Sequence, residues 1–108
     1  MQYVVDPSAD LLDRSGRLFG RQHALRIYCA IGQLPEVFSA TQVRDLSGAP
    51  TSDVSRELRI LRDLGLVSGK RAQVTRHASH LWQFAQALFE EWSGETMQPK
   101  VTSIRQAK

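Results

Sequence analysis

The sequence predicts a mainly α domain with a small β-ribbon, and three observations carry that prediction. Residues 38–67 contain a well-marked helix start, a Ser-Gly-Ala-Pro break, and a second helix that stops at glycine. That second helix has an apolar face of Val54, Leu58, Leu61 and Leu64, with serines and arginines opposite. Residues 81–92 repeat apolar side chains at i, i+3, i+4, i+7 and i+11, the spacing of one helical face.

Residues 1–5 carry no pattern and are expected to be loosely ordered or paired with a neighbour. Asp6 is placed to cap a short helix with Pro7 at its first position. That helix is expected to pass through Leu11 and Leu12 and stop near Ser15 and Gly16. A longer helix is expected from Leu18 to Ile31, with Leu25, Ile27, Tyr28 and Ile31 on its apolar side. Gly32 is read as its stop, and Pro35 prevents a restart.

The next start is marked four ways. Ser39 is a favoured N-cap residue, and Gln42 three positions on completes a capping box. Phe38 before the cap and Val43 at the fourth helical position form a hydrophobic staple. The break at Ser47-Gly48-Ala49-Pro50 keeps this helix short. The following helix spans 51–64, with Asp53 in its first turn and Gly65 as its stop. Glu57 projects among the apolar positions and is expected at their edge, paired with an arginine such as Arg44. Residues 66–68 and 73–75 read as two short strands around a basic turn, Gly69-Lys70-Arg71. Thr75 is read as the cap of a last helix ending near Trp92. In that helix, Leu81, Phe84, Ala85, Leu88 and Trp92 form one stripe, and Trp82 and Phe89 form another beside it. Together they exceed half the helix circumference, more than one small domain needs to cover. The organisation expected is an N-terminal segment over 1–17, the main domain over 18–93, and a polar, disordered tail over 94–108.

The bulk composition narrows the classes. A length of 108 residues with 42% hydrophobic content supports one domain with one modest core. The charge of +3 permits nucleic acid without requiring it. Only Lys70, Lys100 and Lys108 are lysines, so the basic set is mostly arginine, whose planar fork suits phosphates and guanine edges. A single cysteine, Cys29, precludes an internal disulfide; it fits a reducing cytoplasm and reads as a small buried thiol. No apolar run is long enough for a membrane span, and no signal peptide is visible, so a cytoplasmic location is expected. There is no phosphate-binding glycine loop and no nucleophile with a matching base. Neither an enzyme nor a cofactor is expected.

The order helix, helix, turn, helix, β-ribbon, helix, with V-S-R-E-L-R-I-L-R-D-L-G-L-V at 54–67, resembles the winged helix-turn-helix of ArsR-type bacterial regulators, and next those of the MarR type. The resemblance covers residues 21–92. It implies a homodimeric, sequence-specific transcriptional regulator whose 51–64 helix meets double-stranded DNA, with N- and C-terminal helices pairing the protomers. On that resemblance Thr51, Ser52, Ser55, Arg56 and Arg59 approach DNA, and Lys70 and Arg71 form the wing tip. Arg62 flanks the same face. Leu11, Leu12, Leu81, Phe84, Leu88 and Trp92 are the expected dimer interface. The wing is only a few residues long. The paired-cysteine metal motif of many ArsR-type sensors is absent, since residues 43–52 contain no cysteine. Metal sensing is therefore not carried over.

His77 and His80, if i, i+3 on one helix, would offer two metal ligands, but a site needs a third and Glu91 lies about three turns away. Ordinary histidines are the expectation, as for His23, and no metal is assigned. The alternative functions are a winged-helix protein–protein interaction module and a non-specific architectural DNA-binding protein. The polar, arginine-bearing face of the 51–64 helix argues against the first, and the mild net charge against the second.

Overall fold

The computed structural model describes residues 7–98. The expectations for residues 1–6, including the Asp6 cap, and for 99–108 lie outside that range. Five helices and three short strands follow in the order α1 (Pro7–Phe19), α2 (Ala24–Gln33), β1 (Val37–Phe38), α3 (Ala40–Ser47), α4 (Thr51–Asp63), β2 (Val67–Lys70), β3 (Gln73–Arg76) and α5 (His80–Ser93). The protein is mainly helical, with one three-stranded antiparallel sheet in the order β1-β3-β2.

Helix α2 is the centre of the core. Ala24, Leu25 and every residue from Ile27 to Ile31 are buried, and α1, α3, α4 and α5 all pack against it. Its boundaries differ from those expected. Helix α1 runs past Gly16, and Gly20 at φ 80° ends it, with its N–H on the Gly16 carbonyl at 2.8 Å. Leu18 therefore belongs to α1, not α2. The reason lies at Ser15. Its buried hydroxyl donates to the Arg21 carbonyl at 3.0 Å and accepts the Leu25 N–H at 3.1 Å, fastening α1 to the start of α2.

Gly32 does not stop α2 either. It lies in the last turn, where an added Cβ would sit 3.0 Å from the Trp82 Cβ. Glycine here lets α2 and α5 approach closely. The C-terminal end of α2 is instead met by Arg76, whose Nη1 donates to the Ile31 carbonyl at 2.8 Å and to that of the C-cap Leu34 at 2.6 Å. A cation at a helix C-terminus also complements the backbone dipole.

The capping box of α3 is present as expected. The Gln42 N–H donates to Ser39 Oγ at 3.1 Å, and the Ser39 N–H donates to Gln42 Oε1 at 2.8 Å. Gly48 at φ 74° ends α3. Helix α4 ends in a Schellman motif, with the Leu66 N–H on the Leu61 carbonyl at 2.8 Å, the Gly65 N–H on that of Arg62 at 3.0 Å, and Gly65 at φ 77°. Leu64, on the apolar face by periodicity, is 67% exposed; it is the C-cap, one residue past the end of α4. Val54, Leu58 and Leu61 are buried as expected.

The hairpin is longer than the sequence suggested, and its turn is shifted. Val67 faces Arg76 and Lys70 faces Gln73, so the turn is Arg71-Ala72. Gly69, at φ 94°, lies inside β2, where a Cβ would come 2.4 Å from the Gln73 carbonyl oxygen. Thr75 sits in β3, and Ser79 caps α5 instead, its Oγ accepting the Leu81 N–H at 3.0 Å. The two-residue strand β1, which has no counterpart in the sequence pattern, pairs Val37 with Thr75 and Phe38 with Val74. Beyond α5, Met97 packs half-buried against the core.

Candidate nucleic-acid interface

The site is assembled from three elements. Helix α4 presents Thr51, Ser52 and Arg59 to solvent, with Ser55, Arg56 and Arg62 half-buried beside them. The hairpin presents Lys70 and Arg71. Helix α3 adds Thr41 and Arg44, which the sequence reading did not assign. A narrow crevice of about 30 Å³ is lined by Thr41, Arg44, Thr51, Ser55 and Arg71, with Ala40 and Val54 as its apolar part. The hairpin tip reaches it because the Arg71 carbonyl accepts the Ala40 N–H at 2.7 Å, at the first residue of α3. Hydroxyls and guanidinium groups converging on one crevice are what a phosphate oxygen is bound by. The missed signal was β1: pairing it with β3 draws the ribbon tip onto α3.

The arginines are not equivalent. Arg59 makes no hydrogen bond or ion pair among the described residues, and is a free arm. Arg62 donates from Nη1 to the Gly69 carbonyl at 3.3 Å, which ties α4 to the hairpin. Arg56 is held from two sides, with Nη2 3.4 Å from Asp53 Oδ1 and Nε 3.6 Å from Glu57 Oε2.

Glu57 is where sequence and structure differ most. It was expected at an edge with Arg44, but it is fully buried, and Arg44 pairs with Asp45 at 3.1 Å. Its carboxylate accepts both Arg21 Nε and Arg21 Nη2, the latter at 3.3 Å, and the Tyr28 O–H at 2.6 Å. Position 57 faces α2 and the α1–α2 turn rather than α3, so Arg21 is the cation within reach. The pairing with Glu57 raises the Arg21 guanidinium above its usual range. Burial, reinforced by the Glu57 carboxylate, pushes the Tyr28 phenol up to about 12. Burial likewise pushes the Cys29 thiol up to about 12.

The residues expected at a dimer interface separate into two groups. Leu11 is buried in its own chain's core, because the inward side of α1 faces α2 and α5. It is removed from the interface. Leu12, Leu81, Leu88 and Trp92 are half-buried, and Phe84 is 50% exposed. Trp82 and Phe89 are covered by the same chain, as the two-stripe reading required. Leu18 on α1 adds a further exposed apolar side chain.

His77 lies in the loop after β3 rather than on α5, so the i, i+3 argument for a pair with His80 does not apply. Its Nε2 is 3.0 Å from Ser68 Oγ.

These helices and this sheet, in this order, are compatible with a winged helix. No family model, curated protein or solved structure matches the chain. No helix among the described residues is long and apolar enough to cross a membrane.

Proposed function

We propose that the chain is a sequence-specific DNA-binding transcriptional regulator of the winged helix-turn-helix class, resembling the ArsR type, that acts as a homodimer. One observation carries this reading: the outward face of α4 is polar and arginine-bearing, and the basic hairpin tip is held beside it at the start of α3. A helix used for protein docking would present an apolar anchor there. In this reading Thr51, Ser52, Ser55, Arg56 and Arg59 enter the major groove. Lys70 and Arg71 meet the adjacent backbone, joined by Thr41 and Arg44. Arg62 contributes by fixing the hairpin to α4.

The partner chain is a second copy, paired through α1 and α5. Exposed Phe84 and Leu18 give the apolar surface for it, bordered by Leu81, Leu88 and Trp92, which are half-buried against their own core. Two-fold pairing would set the α4 helices one DNA turn apart, so the target is an inverted repeat.

Selection of bound sites from a random duplex pool tests the reading. An inverted repeat should emerge, and Arg56→Ala with Arg59→Ala should abolish its selection. Undiminished binding by that double variant at moderate salt would refute it. Light scattering of the free protein tests the partner: a monomer mass at tens of micromolar would rule out the α1–α5 pairing.

A further inference from the structure

Glu57 projects inward from the helix whose outward face is read as the DNA surface, and it is fully buried. A buried carboxylate is a costly choice for stability alone, since an apolar side chain would extend the Val54, Leu58 and Leu61 face without needing a partner. Its geometry gives it another use. The two oxygens serve two arginines from different parts of the fold. Arg21, in the α1–α2 turn, grips the carboxylate with Nε and Nη2, and Tyr28 on α2 donates to Oε1. Arg21 also donates to the Tyr28 oxygen at 3.1 Å. These bonds set the carboxylate's orientation from the core side.

Oε2 then faces Arg56 Nε at 3.6 Å, and that nitrogen is itself buried with no hydrogen-bond acceptor. The far end of the guanidinium meets Asp53, which lies 3.7 Å from His23 Nε2. Arg56 thus has a carboxylate at each end on the protein side, while its side chain stays 40% exposed outward. Arg59, one turn on, has no such support.

We propose that Glu57 is a positioning residue for DNA recognition: its buried carboxylate, locked by Arg21 and Tyr28, sets the Arg56 guanidinium in place on α4 before DNA arrives. The inference rests on the DNA-binding reading above. It divides the work between an arginine supported on the protein side, Arg56, and one without such support, Arg59. Pre-set geometry lowers the ordering cost of binding and sharpens discrimination between sequences.

Glu57→Gln separates positioning from simple charge. The substitution removes a negative charge, so electrostatics alone raises affinity for every duplex. Positioning requires the ratio of specific to non-specific affinity to fall, by about tenfold, through weakened binding of the selected duplex. Binding of a scrambled duplex should hold or rise. In an Arg56→Ala background the same substitution should leave the ratio unchanged, which a general structural defect would not. The free protein supplies a readout without DNA: the Arg56 Nε–H resonance, identified by its loss in Arg56→Ala, should lose protection from exchange in Glu57→Gln. Tyr28→Phe serves where Glu57→Gln folds poorly, and should lower the ratio about threefold, in proportion to one lost hydrogen bond. The proposal is overturned if both variants keep the parent's ratio, or if Arg56 protection is indifferent to Glu57. A parent that binds no duplex, while Arg56 protection still depends on Glu57, would refute the DNA reading and the proposed role together, with the side-chain coupling itself demonstrated.

Discussion

Removing Arg21 should cost the protein more stability than removing the charge of Glu57. The two partners differ in access to water: Glu57 is fully buried, while the Arg21 side chain is 30% exposed. At charge separations of ~4 Å and an effective dielectric of about 20, the pair is worth about 4 kcal/mol in Coulomb terms. Arg21→Met leaves a carboxylate that cannot reach solvent and keeps only the Tyr28 O–H and the more distant Arg56. Breaking a fully buried pair costs about 3–5 kcal/mol, so these residual partners bring the expected loss to about 2–3 kcal/mol. Glu57→Gln leaves a guanidinium that can still hydrate, and a side-chain oxygen that still accepts from Tyr28. Its loss should be about 1–2 kcal/mol. The double variant should be less destabilised than the sum, because the stranded charge has been removed. Urea unfolding followed by circular dichroism measures all three. With a slope of about 1.5 kcal/mol per molar, Arg21→Met should move the midpoint down by about 1.3–2 M. A Glu57→Gln variant less stable than Arg21→Met, or additive losses in the double variant, would show that burial of the carboxylate does not govern this site.

Three other outcomes are expected. The Tyr28 phenol has a folded value of about 12 against an ordinary 10.0, so it binds its proton more tightly in the native state. Its contribution to stability is complete below pH 10 and is lost as pH rises toward 12. Tyr28→Phe should flatten that part of the alkaline unfolding curve, and an unaltered curve would count against the assignment. Cys29 is fully buried with its thiol pushed up to about 12, so a thiol reagent near neutral pH should modify it only at the rate of unfolding, as stopped-flow absorbance with increasing urea would reveal. Gly69→Ala should cost about 1–3 kcal/mol, since the new methyl meets the Gln73 carbonyl at 2.4 Å and the backbone sits at φ 94°. In a duplex titration the same variant should weaken binding through a displaced hairpin, so full stability with full binding would refute the close approach of the two strands at Gly69.

What was legible in the sequence was what short-range chemistry decides. The Ser39–Gln42 box, the Gly48 stop and the Gly65 stop each involve groups within a few residues, and each formed where expected. The split of α4 into Val54, Leu58 and Leu61 inside and Thr51, Ser52 and Arg59 outside also follows from its own periodicity. The two stripes of α5 were legible too, but of the first only Phe84 stays exposed; Ala85 is buried, and Leu81, Leu88 and Trp92 pack half-buried on the core. Tertiary structure decided the rest, because the deciding partners are far away in the chain. Gly16 and Gly20 are equally good stops locally, and the Ser15 hydroxyl reaching Arg21 and Leu25 chooses between them. Gly32 looked like a terminator and is a contact surface for Trp82. Leu11 has the pattern of an interface residue, and α1 turns it inward. Strand β1 is two residues long, too short for any periodicity, and exists only because β3 offers it partners. Glu57 is the sharpest case. Its helical position marked it as awkward, but only a fold that brings Arg21 and Tyr28 to the same point can satisfy a carboxylate inside the core, because a charge buried there needs partners at hydrogen-bond distance and no local rule supplies them.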